Sequence, residues 1–289
     1  MVGQVDTRSF DVWGGLRLPG DGILTDRLTL GVFGERALFH DWQRLDGSPY
    51  PQPQDRDLRG IEVGWEHQIF NWRVVQGFRA WLRQEDLPLG PNWQVTAGPS
   101  LPAFGADRAR LRYRGSLTVG QMTGRTYSWL VGSLSGRLER GAFANGVTHL
   151  ELGGALTGTA GWRMRLAADI GHKLDGEQQL TLGADSGLRG YDPRTFDGTS
   201  RMVTNLEWRR RITGELLHVA ALGFTVFADG GRTWKPRIGP PTDGWRGNVG
   251  CGLLAEVTRA SVVRILRLEV ALPDRGKGPV FQITTESLF

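Results

Sequence analysis

A chain of 289 residues with 42 glycines, 11 tryptophans and a net charge of +5 is long enough for one large β-domain, and such a composition suits strands whose aromatics sit at an interface. No uninterrupted apolar run approaches the ~20 residues a spanning helix needs, so any membrane span must be β; the negative mean hydropathy does not exclude one, because a water-lined barrel has one polar face for each apolar face. Cys251 is the single cysteine, and His40, His67, His149, His172 and His218 lack ligand spacing, so neither a disulfide, a metal nor a cofactor is expected.

The first residues, MVGQVDTRSF, show no basic start followed by an apolar core, so a mature chain or a barrel cut from a longer precursor is expected. From Phe10, the apolar Val12, Leu16 and Leu18 oppose Asp11 and Arg17, and Pro19 to Gly22 makes a turn. Leu28, Leu30 and Val32 resume the alternation before a long exposed loop over 41–57. Ile61, Val63 and Trp65 then oppose Glu62, Glu66 and Gln68. After a reversal near Asn71, Trp72, Val74, Phe78 and Leu82 oppose Arg73, Arg79 and Arg83, which predicts one hairpin over both segments.

The clearest alternation is RARLRYRGSLTV over 108–119. Leu111, Tyr113, Leu117 and Val119 share one face while Arg108, Arg110, Arg112 and Arg114 share the other, a sorting that a strand achieves and a helix does not. Trp162, Met164, Leu166 and Ile170 repeat it against Arg163, Arg165 and Asp169. Leu266, Leu268 and Val270 oppose Arg267 and Glu269, and Phe281, Ile283 and Phe289 end the chain against Gln282 and Glu286. The arginines therefore belong to strands, with Arg108, Arg110, Arg112, Arg114, Arg163 and Arg165 expected to line a lumen. Because they do not cluster on a helix or loop, nucleic acid is not an expected partner despite the sequence pI near 9.8. Thr213-Gly214-Glu215 is expected to be a brief turn, and 235–245 a longer loop.

Between Leu182 and Arg211 lies LGADSGLRGYDPRTFDGTSRMVTNLEWRRR, a turn-rich stretch that becomes an alternating strand at Asn205 to Arg209. It carries Arg189-Gly190-Tyr191, and FADGGRTW follows from Phe227. These motifs, in this order and followed by a final Phe289, resemble the C-terminal barrel of the BamA/TpsB-type outer-membrane assembly and two-partner-secretion superfamily, which includes the bacterial surface-antigen barrels. The resemblance covers the C-terminal third of the chain. It implies that the Arg-Gly-Tyr loop folds into the barrel, where Arg189 pairs with Asp229, Glu207 or both on neighbouring strands and Tyr191 packs against Phe227 or the loop itself. It also implies a C-terminal assembly signal in Phe281, Ile283 and Phe289.

The fold expected is an all-β, antiparallel transmembrane barrel over 1–289 without a POTRA module. Roughly fifteen strands are readable and sixteen are implied, because single-chain bacterial barrels carry an even number. The missing first strand is either a remnant in residues 1 to 8 or lies upstream. The implied place is the bacterial outer membrane, with lipid including lipopolysaccharide, an unfolded or secreted polypeptide client, and periplasmic or outer-membrane accessory subunits as partners. The implied function is polypeptide insertion or translocation. A passive barrel that anchors another domain is the alternative, with a lipase-linked barrel behind it. No nucleophile elbow, zinc helix or phosphate loop is present, so an enzyme is not expected.

Overall fold

Two-residue alternation of apolar and polar side chains puts every second residue on one face of an extended chain. In the computed structural model of the protein, which describes residues 2–20, 22–43, 51–236, 239–257, 265–276 and 278–285, that alternation forms a single dominant sheet. Phe289 lies outside the described residues. The strands are β1 (Val2–Arg17), β2 (Leu24–Gln43), β3 (Arg56–Ile69), β4 (Trp72–Gln76), β5 (Gln84–Pro88), β6 (Gly90–Ser100), β7 (Arg110–Thr123), β8 (Thr126–Glu139) and β9 (Ala142–Leu156). They continue as β10 (Ala160–His172), β11 (Leu180–Leu182), β12 (Phe196–Gly198), β13 (Ser200–Leu216), β14 (Ala220–Trp234), β15 (Arg246–Val257), β16 (Ile265–Pro273) and β17 (Val280–Thr284).

Thirteen strands form the main sheet in the order β1-β2-β3-β6-β7-β8-β9-β10-β13-β14-β15-β16-β17, and β4-β5 and β11-β12 are separate two-stranded ribbons. Every pairing is antiparallel, so the two end strands of this odd-numbered sheet run in the same direction. Among the described residues no pairing joins β1 to β17, and the sheet is not closed. It is nevertheless strongly curved: Arg112 of β7 donates to Asp11 of β1 at 2.8 Å although β2, β3 and β6 lie between those strands in the sheet. No helix among the described residues is long and apolar enough to cross a membrane.

The two faces are sorted inside out. Large apolar side chains lie exposed on the convex face, among them Leu30 at 62%, Trp162 at 51% and Phe281 at 78%. On the same strands the concave face buries charge, with Arg163 at 1% and Glu207 at 0%. Smaller apolar clusters fill the interior only where segments outside the main sheet reach it.

Three local readings change. Ile61 to Gln68 was expected to pair with the segment from Trp72; β3 instead pairs with β6, Trp65 facing Val95, and 72–88 leaves the wall as its own hairpin. The alternation there is real, but each strand has only five residues, about half the length needed to traverse a bilayer as a tilted strand. Thr213-Gly214-Glu215 is an irregularity inside β13, where the register shifts between Arg211 and Glu215, and the reversal falls at Leu217 to Val219. Residues 4 to 9 are no remnant of a separate strand, because they continue β1 in register with β2, Gln4 facing His40 and Ser9 facing Glu35.

Candidate functional site: an arginine seated inside the sheet

The segment between β10 and β13 is pulled inward by apolar side chains before any charge is considered. Leu182 and Leu188 are fully buried against Ala167 of β10, Val203 of β13 and Phe196 of β12. The β11-β12 ribbon, with Leu180 facing Gly198 and Leu182 facing Phe196, ties the two ends of the loop together. Leu188 thereby delivers its neighbour Arg189 to the concave face of β13, β14 and β16.

There the guanidinium is surrounded. Its Nε and Nη2 donate to Asp229 Oδ2 and Oδ1 at 2.9 and 2.8 Å, a two-point contact that uses the planar fork of arginine. Nη1 donates to Glu207 Oε2 at 3.0 Å and to Glu269 Oε1 at 3.4 Å. The guanidinium carbon lies 3.5 Å from the centre of the Phe227 ring, so the cation also faces an aromatic π-surface. Asp229 and Asn205 stand opposite one another in the β13-β14 register, as do Glu207 and Phe227. Two successive rungs of one strand pair on the same face thus supply both acids, the amide and the ring.

The surrounding groups satisfy what remains. Asn205 and Asn248 each donate through Nδ2 to Asp229 at 2.8 Å, and Asn205 Nδ2 also donates to the Gly187 carbonyl. The Gly190 N–H donates to Asn248 Oδ1 at 3.0 Å, and a Cβ at Gly190 would fall 2.6 Å from Asn248 Cβ, so glycine is required by close approach. Gln282 of β17 donates to the Arg189 carbonyl at 2.6 Å, linking the loop to the last described strand. Arg267 Nη2 bonds Glu207 at 2.6 Å and Glu269 at 2.7 Å. The group holds two cations, Arg189 and Arg267, against three acids, Asp229, Glu207 and Glu269.

Of its two expected seats Tyr191 takes the loop itself and not Phe227. Its ring packs edge-on against Phe196, 5.1 Å between centres, and its hydroxyl donates to Asp274, just beyond β16. Burial, together with that hydrogen bond, pushes the phenol up to about 12. Burial opposes ionisation of Asp274, but hydrogen bonds from Tyr191 and from the Gly247 N–H outweigh it and hold the carboxyl below its usual range. Arg194, in the same loop, is largely exposed beside Asp185 at 3.5 Å.

The other residues singled out from the sequence divide. Arg110, Arg112 and Arg114 are on the concave face of β7, where Arg110 meets Asp107 and Glu139 and the other two share Glu62. Arg108 precedes β7 and sits at its end beside Asp107, so it belongs to the loop and not to the strand's arginine row. Arg165 pairs with Glu151 at 2.8 Å; Arg163 donates to the Gly77 carbonyl of the β4-β5 hairpin. Phe281 and Ile283 project from the convex face of β17.

Sequence reasoning missed Glu269, Arg267, Asn248 and Gln282 as members of the Arg189 site. All alternate with apolar neighbours, which places them on the polar face, but nothing local says that β16 and β17 come round to meet the loop. No group of three or more His, Cys, Asp or Glu among the described residues is placed to hold a metal ion. No protein-family model matches this sequence, and no curated protein matches it.

Proposed function

We propose that this chain is an outer-membrane β-barrel that handles polypeptides, inserting them into the membrane or passing them across it. The observation that carries the membrane reading is the inverted sorting of the sheet. Burying one Val, Leu, Ile, Phe or Met side chain is worth about 1.5 to 3 kcal/mol, and dozens lie exposed on the convex face while arginines and glutamates are buried on the concave one. A lipid medium outside and a polar interior make both faces favourable. In that setting the curved thirteen-stranded sheet forms the wall of a barrel, for which an even strand number such as sixteen is expected.

Polypeptide handling is supported by two features together. One is the Arg189 seat, whose Arg-Gly-Tyr, N-L-E and F-x-D elements resemble the outer-membrane assembly and two-partner-secretion superfamily. The other is the outer edge of β1, a strand of sixteen residues that among the described residues pairs with β2 alone. An edge of that kind accepts an added strand by main-chain hydrogen bonding. Chemistry of this sort needs no catalytic residue. A passive anchoring barrel is the competing reading, favoured by the way loop and hairpin occupy the interior. Depletion of the full-length protein followed by a census of outer-membrane and secreted proteins decides between them: loss of particular clients supports handling, and an unchanged census supports anchoring.

A further inference from the structure

Hairpin β4-β5 enters the interior from the end opposite the Arg189 loop, and the wall holds it in an unusual way. Arg209 of β13 donates to the carbonyls of Arg79, at 2.7 Å, and of Gly77 and Phe78. Arg163 of β10 donates to the Gly77 carbonyl at 3.1 Å. Glu256 of β15 accepts from the N–H groups of Trp81 and Leu82 at 2.6 and 3.1 Å. These three wall residues are 0 to 1% exposed, and among the described residues none of them forms an ion pair. The hydrogen-bonding partners of their charged groups are main-chain atoms of the hairpin tip. Glu207 and Glu85 are near enough to attract both arginines, and Glu256 attracts Arg209, but none is within ion-pair distance of them; a wall needing only to be filled would do better with apolar side chains.

Two side chains complete the seating. Phe78 packs against Tyr127 and Trp129 at 5.3 and 5.9 Å between ring centres. Trp81 lies on Leu254 and Ile265 with its edge over Gly223, where a Cβ would come within 2.1 Å of the indole. The wall therefore meets the main chain of a turn plus two aromatic side chains three residues apart, with Val75 and Leu87 in the apolar cluster around Phe78 and a glycine at 77, where a Cβ would fall 2.3 Å from the Gly158 carbonyl oxygen. Leu89 N–H donates to the Asn71 carbonyl at 2.8 Å, so the two ends of the hairpin are adjacent. It pairs with no strand of the main sheet, and the Tyr127 hydroxyl and the Gly158 N–H hold it further through the Pro88 and Gly77 carbonyls, so it can leave by breaking these wall bonds without unpairing the main sheet. A cavity of about 630 Å³ beside the tip, bordered by β7, β8 and β9, gives it room to move.

We propose that Arg163, Arg209 and Glu256, with the two aromatic seats, form a polypeptide-binding site inside the sheet, and that the 72–88 hairpin is its resident occupant, exchanged for an aromatic-bearing hairpin turn of a client polypeptide. This rests on the polypeptide-handling reading above. Contacts to main-chain atoms make the site tolerant of sequence, as a handler of many clients requires.

The test uses the full-length protein in detergent micelles with Phe78→Ser and Trp81→Ser combined, which weakens the occupant and leaves the wall intact. The probes are two fluorescein-labelled peptides: residues 76–84 of this chain, and an unrelated hairpin peptide with two aromatics three residues apart. Both should bind the variant within about tenfold of each other, and adding Arg163→Met and Arg209→Met should weaken both by on the order of tenfold or more. Binding of the 76–84 peptide alone would make the seat a private plug socket and overturn the proposal, as would binding of neither. Should the variant not fold, unmodified protein with excess hairpin peptide serves: the peptide should increase tryptic cleavage at Arg79 or Arg83, and unchanged cleavage would overturn the proposal. Peptide binding with an unchanged client census in depleted cells leaves the site standing and removes the export reading. Lost clients with no peptide bound does the reverse.

Discussion

Arg189 is held by both carboxylate oxygens of Asp229 through the Nε–Nη2 edge of its guanidinium, at 2.9 and 2.8 Å, with neither side chain more than 4% exposed. A pair so enclosed behaves differently from a surface ion pair, because removing one member strands the other's charge away from water. Arg189→Ala should therefore cost about 3 to 5 kcal/mol. Arg194→Ala in the same loop, where the side chain is exposed, should stay within about 0.5 kcal/mol. Arg189→Lys should recover only part of the loss, since an ammonium cannot bridge both Asp229 oxygens while also reaching Glu207. Urea unfolding in micelles measures all three, and equal costs for Arg189→Ala and Arg194→Ala would remove the buried arginine as an anchor.

The two faces of a single strand should respond oppositely to charge. Leu111→Arg, on the convex face of β7, should cost ~2 to 4 kcal/mol of folding into lipid vesicles if it lies near mid-membrane. Arg114→Gln, three residues along on the concave face, should cost much less, its side chain being 46% exposed. Equal sensitivity of both positions, or a protein that stays in solution without detergent, would remove the barrel reading.

Docking of the Arg189 loop should be pH-dependent at both extremes through Tyr191 and Asp274. The phenol's folded value, about 12, is above its ordinary 10.0, so its contribution is fully present below pH 10 and is lost as pH rises toward 12. The Asp274 carboxyl is held below 3.8, so its contribution is present above that pH and is lost as pH falls through the folded value. Tyrosinate absorbance should therefore lose a late-titrating component on Tyr191→Phe. The same change should flatten the acid limb of the loop's protease resistance, and an acid limb unaffected by Tyr191→Phe would show that Asp274 acts elsewhere.

Phe281 and Ile283 occupy the convex face of the last described strand at 78% and 74% exposure, where they touch little of the protein itself. Replacing both with Ser should reduce insertion in cells, scored by heat-modifiable migration of membrane fractions, more than it reduces refolding in detergent. Deletion of Phe289 should act in the same direction. Equal losses in both assays would make these residues contributors to stability alone.

Local alternation was enough to assign Leu111 and Arg112, or Leu206 and Glu207, to opposite faces, because a strand's side-chain period of two is a property of neighbouring residues and needs no partner. For the same reason Asp229 and Glu207 were legible as two inward acids, whereas Arg189, in a loop, was implied as their partner only by the resemblance of its motif. What alternation cannot state is which strand lies beside which, since pairing is fixed by hydrogen bonds between residues far apart in the chain. Trp72 to Leu82 alternates like a wall strand, yet it leaves the wall because Phe78, Ala80 and Trp81 find burial inside and Arg209 and Glu256 find main-chain partners at its tip. Glu269, Arg267 and Gln282 join the Arg189 site for a similar reason: only the curvature of the sheet brings β16 and β17 to a loop some eighty residues earlier. The sequence by itself determined the two faces and the charges on each; the tertiary structure alone decided which charges meet, because buried charges settle on the partners that chain curvature places within hydrogen-bonding distance.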